Sequence, residues 1–118
     1  MTAHAHFDVV NTKDLTTVSI TGEVDLSNAE EVAGKLFDTV KPESLGLVLD
    51  ISEVRYMDSS GISVLFEMSR TLSARRQSMS LVVPEASPLR PLIDLTRIQL
   101  AVNVSETVEE AKEAATRP

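Results

Sequence analysis

Apolar and polar positions change period several times along the chain, and each change predicts an element. Residues 7–12, which include Phe7, Val9 and Val10, and residues 16–21 form two short runs. In the second, Val18 and Ile20 alternate with Thr17, Ser19 and Thr21, the period of a strand with one wet face. Lys13-Asp14 between the runs is turn material, so the pair reads as a hairpin. The period then lengthens: Ala29, Val32, Ala33, Leu36, Phe37 and Val40 recur at helical spacing and form one stripe. Ser27 followed by Glu30 has the form of a capping box, Glu30 and Glu31 suit the positive end of the helix dipole, and Pro42 stops the helix.

Leu45–Ile51 is short, apolar and rich in branched residues, as a buried central strand requires. Ser52–Met57 reads as a loop, and the turn Asp58-Ser59-Ser60-Gly61 opens a second helix near Ser60. Ile62, Leu65, Phe66, Met68, Ser69 and Leu72 give its inner face. Ser80–Val83 predicts another strand, ended by Pro84. Ser87-Pro88 has the form of a helix start, with Leu89, Leu92 and Ile93 facing inward. Leu100–Val104 predicts a last strand, and Ser105 a cap for a terminal helix with a thin apolar face of Val108, Ala111 and Ala115. Strand and helix alternate from residue 45 onward. The expected fold is therefore a single α/β domain over residues 1–118: an N-terminal hairpin, then parallel strands joined by crossovers, in a mixed sheet flanked by helices.

Composition narrows the function. Eleven Lys+Arg against 18 Asp+Glu give a net charge of −7, so phosphate backbones and anionic lipid surfaces are poor partners. The absence of cysteine excludes disulfides, thiol catalysis and cysteine-ligated metal centres. Aromatics at 3% with no Trp leave no platform for stacking bases or sugars. No apolar run reaches the length of a transmembrane helix, and Met1–Phe7 has neither a basic nor an apolar signal segment, so a cytoplasmic location is expected.

The turn Asp58-Ser59-Ser60-Gly61 follows a strand and opens a helix, where open α/β sheets place their ligand sites. The unpaired N–H groups of a helix start suit a phosphate, so a phosphorylated serine would be accommodated there. The same residues are also what an ordinary capped helix carries. Gly22-Glu23-Val24-Asp25-Leu26-Ser27 is a second strand-to-helix turn with the same two readings, placed at the same end of the sheet. Hydrolase chemistry at a serine is disfavoured, because the only histidines are His4 and His6 and no Gly-x-Ser-x-Gly elbow exists.

Taken together, Gly22-Glu23-Val24-Asp25, Val48-Leu49-Asp50-Ile51-Ser52 and Tyr56-Met57-Asp58-Ser59-Ser60-Gly61-Ile62 closely resemble the anti-sigma factor antagonist family of STAS domains. Leu81-Val82-Val83-Pro84, Pro91-Leu92-Ile93-Asp94-Leu95-Thr96 and the segment 105–114 follow in the family's order. The resemblance implies a non-enzymatic partner switch without cofactor or metal. The unphosphorylated antagonist binds an anti-sigma factor that is also a serine kinase, phosphorylation dissociates the pair, and a serine phosphatase resets it. Carried onto this chain, the acceptor is Ser59, and the partner-facing residues are Asp25, Asp58, Ser59, Ser60 and Gly61. Two departures stand out: Arg75-Arg76-Gln77 where the family often has glycine before the next strand, and Thr96-Arg97-Ile98 where Thr-Gly-Leu is common.

Other readings compete. A STAS subunit of another signalling or transporter-associated assembly would share the fold. Nucleotide binding is disfavoured by the missing Walker loop and only 4 Gly, and phosphocarrier chemistry by the missing catalytic His. Tyr56, Met57 and Ile62 flank the serine as partner anchors or as core, with Met57 and Ile62 expected to pack inward. With Met1 removed, Thr2-Ala3-His4 is a possible Cu(II) or Ni(II) chelate, against the simpler reading of a floppy terminus. Arg75-Arg76 reads as a solvated loop.

Overall fold

Strand β1 (Ala5–Asn11) runs antiparallel to β2 (Leu15–Val24), with Phe7 opposite Ile20 and Val9 opposite Val18. In this computed structural model, which describes residues 3–12 and 14–116, the remaining strands are β3 (Gly46–Met57), β4 (Ser78–Val82) and β5 (Asn103–Ser105). They add in sequence order, so the sheet reads β1-β2-β3-β4-β5, with every pair after the first parallel. The connections are α1 (Ala29–Thr39), α2 (Ser59–Ala74) and α3 (Arg90–Thr96) with a 3₁₀ turn at Ile98–Leu100, and α4 (Val108–Thr116) closes the chain. The expected single α/β domain with a hairpin and a mixed sheet is the fold observed. Lys13 of the hairpin turn and Thr2 of the possible metal chelate lie outside the described residues.

Alternation in β3 sorts the layers. Leu47, Leu49 and Ile51 face one side and are fully buried with Leu36 of α1, Leu65 and Leu72 of α2, and Ile93. Val48 faces the other side, where Leu15, Val82 and the α4 residues Ala111 and Ala115 form a smaller core. Each fully buried Leu or Ile contributes about 1.5–3 kcal/mol through removal from water. The α1 stripe packs as its spacing requires: Ala29, Val32, Leu36 and Val40 are buried, and Ala33 and Phe37 lean on the core.

Several boundaries differ from the sequence reading. Residues 52–57 are not a loop but the second half of β3. Pairing with β2 slips between Ser19 and Thr21 and again between Gly22 and Glu23, each time with one extra residue on β3. Two bulges therefore put Ile51, Val54 and Met57 inward, a spacing of three that hides the strand's period of two. Ser27 does not cap α1. Asn28 holds the cap position without a side-chain cap bond, while the Ser27 hydroxyl donates to Asp25 Oδ1 at 2.6 Å. Helix α2 begins at Ser59 rather than Ser60, and Val64 joins its buried face, with Ile62 and Phe66 half-buried against the core. Ser87 Oγ accepts from Leu89 N at 3.1 Å, but this turn only leads into α3, which starts at Arg90. The last strand is three residues long, because Ile98–Leu100 is a 3₁₀ turn, and Ser105 lies within it. Thr107 caps α4 instead, its Oγ1 accepting from Glu110 N at 3.2 Å.

Both departures from the family's glycines fall on left-handed backbone. Arg76 has φ 60° and Arg97 φ 57°, conformations that an L side chain enters at a cost of about 1–2 kcal/mol. Arginine thus occupies both left-handed positions. Arg75 beside the first is exposed, with its guanidinium 5.0 Å from the centre of the Phe37 ring.

Candidate functional site

The ends of β2 and β3 lie side by side, with Glu23 opposite Tyr56 and Val24 opposite Met57. The two turns predicted at one end of the sheet therefore meet there. Gly22 makes the approach possible: its φ is 104°, and a Cβ would sit 2.1 Å from the His4 carbonyl oxygen. Glu23 N donates to that carbonyl at 2.9 Å. The Glu23 carboxylate pairs with Arg55, whose guanidinium, aided by the His4 N–H, holds the Glu23 pKa below the ordinary value.

The second turn is knotted by its own side chains. Asp25 Oδ1 accepts from Ser27 Oγ and from Ser27 N at 2.8 Å, and these two bonds hold the Asp25 carboxyl below its usual range. Asn28 clamps the turn from beneath: Oδ1 accepts from Asp25 N and Nδ2 donates to Glu23 O, each at 2.9 Å. Sequence reasoning missed Asn28, because Ser27 and Asn28 are both ordinary cap residues and only the turn geometry separates them.

Asp58 joins the turns. Its Oδ1 accepts from Ser60 N at 2.8 Å and Gly61 N at 3.3 Å, capping α2, and its Oδ2 accepts from Leu26 N at 3.2 Å. Asp58 N in turn donates to Val24 O at 3.3 Å. This corrects one expectation. The N–H groups of Ser60 and Gly61 are not open to a phosphate, since Asp58 already fills them.

Ser59 stands exposed at the first position of α2, and its hydroxyl makes no hydrogen bond among the described residues. Its carbonyl accepts from Ser63 Oγ at 3.0 Å. Ser60 and Asp25 are half-buried. Gly61 is buried, and a Cβ there would meet Met57 Cγ at 2.3 Å and Val24 O at 3.1 Å, so glycine lets α2 close onto both strand ends. Met57 packs inward and Ile62 is half-buried, as expected, whereas Tyr56 is 54% exposed. Leu26, at 81% exposure, is the apolar residue that sequence reasoning did not single out. It precedes the α1 stripe by one helical step, so pattern alone points it inward, and only the Asp25 turn turns it out.

The surface thus presents a free hydroxyl, two carboxylates held by N–H and O–H donors, and two exposed apolar side chains. Among the described residues no imidazole hydrogen-bonds the Ser59 hydroxyl. The group can accept a phosphoryl from an external enzyme and can be covered by a partner.

The STAS domain family model matches residues 6–111 of this chain. The fold is similar to the crystal structure of an anti-sigma factor antagonist from Mycobacterium paratuberculosis, with TM-score 0.84 and 23% identity over 97% of this chain and 96% of that one. It is similar also to the anti-sigma factor antagonist SpoIIAA in its unphosphorylated form, with TM-score 0.71 and 20% identity over 92% and 95%. The phosphorylated form of SpoIIAA, a Bacillus cell fate determinant, matches with TM-score 0.63 and 20% identity over 92% and 98%.

Proposed function

Because the chain belongs to the STAS domain family, we propose that it works as an anti-sigma factor antagonist, a cytoplasmic, non-enzymatic binding module switched by phosphorylation of Ser59. Unphosphorylated, it docks on an anti-sigma factor that is also a serine kinase and so frees a sigma factor for transcription. The kinase then modifies Ser59, the complex parts, and a serine phosphatase restores the antagonist. Asp25, Asp58, Ser59 and Ser60 form the partner-facing surface, with Gly61 holding the helix in place beneath it.

One observation carries this reading: the exposed Ser59 hydroxyl is unspent while the neighbouring helix-start donors are occupied by Asp58. A phosphate adds about −1.5 to −2 charges at neutral pH. Here it would arrive beside a carboxylate that already uses the local N–H groups. On the free protein, water screens that charge and the fold persists. In an interface the charge is desolvated, which commonly costs about 2–5 kcal/mol when no partner neutralises it. At about 1.4 kcal/mol per decade, binding weakens by roughly one and a half to three and a half decades.

The test is a pull-down of the anti-sigma kinase with wild type, Ser59→Ala and Ser59→Glu, alongside phosphosite mapping by mass spectrometry after incubation with kinase and ATP. The expected result is capture by wild type and Ser59→Ala, poor capture by Ser59→Glu, and phosphate on Ser59 alone or chiefly. Equal capture by all three overturns the switch.

A further inference from the structure

Beside the Ser59 turn a shallow groove of about 310 Å³ runs between α1 and α2. Ala29, Ala33 and Val64 line its apolar part, and Leu26 stands at its end. Glu30 comes from one helix and Glu67 from the other; both are exposed. Neither carboxylate takes part in an ion pair among the described residues; Lys35 of α1 is engaged with Glu31 at 3.9 Å, and Arg70, one turn beyond Glu67 in α2, forms no ion pair with it.

We propose that this groove receives a partner-protein segment presenting small apolar residues flanked by Lys or Arg. The inference rests on the reading of this face as a partner surface and adds the partner's chemistry. Two uncompensated carboxylates beside an apolar strip attract a cationic, apolar segment and repel an anionic one, on a chain whose net charge is already −7. Leu26, 81% exposed, offers the segment apolar surface to remove from water. Ser60 lines the same groove one residue from Ser59, so a docked segment extends to the hydroxyl that the switch modifies.

The probe is a synthetic helical peptide of about five turns with an Ala/Leu face flanked by Lys, and a twin with Glu in place of Lys. Each is titrated into the isotope-labelled chain and followed by amide shifts. The expected result is binding of the Lys peptide only, with shifts clustered in 26–33 and 60–67. Affinity should fall about tenfold or more in Glu30→Lys/Glu67→Lys. It should stay within about twofold in Glu43→Lys/Glu109→Lys, which changes net charge identically. Scattered shifts, equal loss in both variants, or no binding of the Lys peptide overturns the groove assignment. With a kinase that phosphorylates Ser59, Glu30→Lys/Glu67→Lys should raise KM and leave kcat unchanged, and an unchanged KM overturns the assignment as well. If no kinase modifies Ser59, the switch reading fails alone, and the peptide titration still decides the groove.

Discussion

Asp58 is the residue on which the geometry of the switch face turns, and its removal has a calculable cost. In Asp58→Ala the helix α2 loses its cap bonds to Ser60 N and Gly61 N, and Leu26 N loses its acceptor. Loss of an N-cap costs about 1 kcal/mol, within a range of about 0.5–2. The bond to Leu26 N contributes about 0.5–1.5 kcal/mol more. The sum is about 2 kcal/mol, equivalent to a fall in Tm of about 8 °C for a domain of this size. Asp58→Asn separates the two parts. Its amide oxygen still caps α2, but the NH₂ now faces Leu26 N, so about half the loss remains. Urea unfolding measures both variants, and amide exchange at Leu26 reports the tie between the turns. A loss under about 0.3 kcal/mol in Asp58→Ala, or an Asn variant as unstable as the Ala variant, would refute this account of the site.

Further outcomes follow from neighbouring residues. Ser27→Ala removes the hydroxyl donor from Asp25 and leaves the backbone N–H of residue 27, so the Asp25 pKa should rise part of the way toward its ordinary value in a carboxyl NMR titration. A depressed native pKa stabilises above the unfolded value and is lost in acid; hence the stability gap between wild type and Ser27→Ala should be present at neutral pH and close below about pH 4. Gly61→Ala should destabilise by about 1–3 kcal/mol in urea unfolding, because the new Cβ overlaps Met57 and crowds Val24 O. Arg97→Gly should stabilise by about 0.5 kcal/mol, the relief of left-handed strain exceeding the added chain entropy, while Arg97→Ala should gain nothing; the urea midpoint at constant slope decides.

The fold was largely legible because its elements obey single periods. The stripe from Ala29 to Val40 is helical at every step, and Leu45–Ile51 is apolar except for Asp50. The strand beyond Ile51 was not legible, since two bulges replace alternation with a spacing of three and make Ser52–Met57 look like a loop. Those bulges belong to the site: they bring Tyr56 out while Met57 goes in beneath Gly61. The site residues themselves announced their turns through Asp, Ser and Gly, whose side chains favour capping or whose backbone accepts close approach. What those letters could not convey was who bonds whom. Ser27 and Asn28 exchange roles, and Asp58 spends its carboxylate on both turns, leaving Ser59 as the free group. The outward Leu26 was hidden for the same reason, since a turn and not a periodicity sets its direction.

The central claim is that one phosphate on Ser59 spoils docking without remaking the fold. Its most direct measurement is a paired titration of the unphosphorylated and Ser59-phosphorylated chain with the anti-sigma kinase, with amide spectra of both free forms. Affinity should fall by roughly one and a half to three and a half decades after phosphorylation. Spectral changes should be confined to residues 24–28 and 57–64. Equal affinities, or shifts spread through β1, β4 and α4, would contradict it.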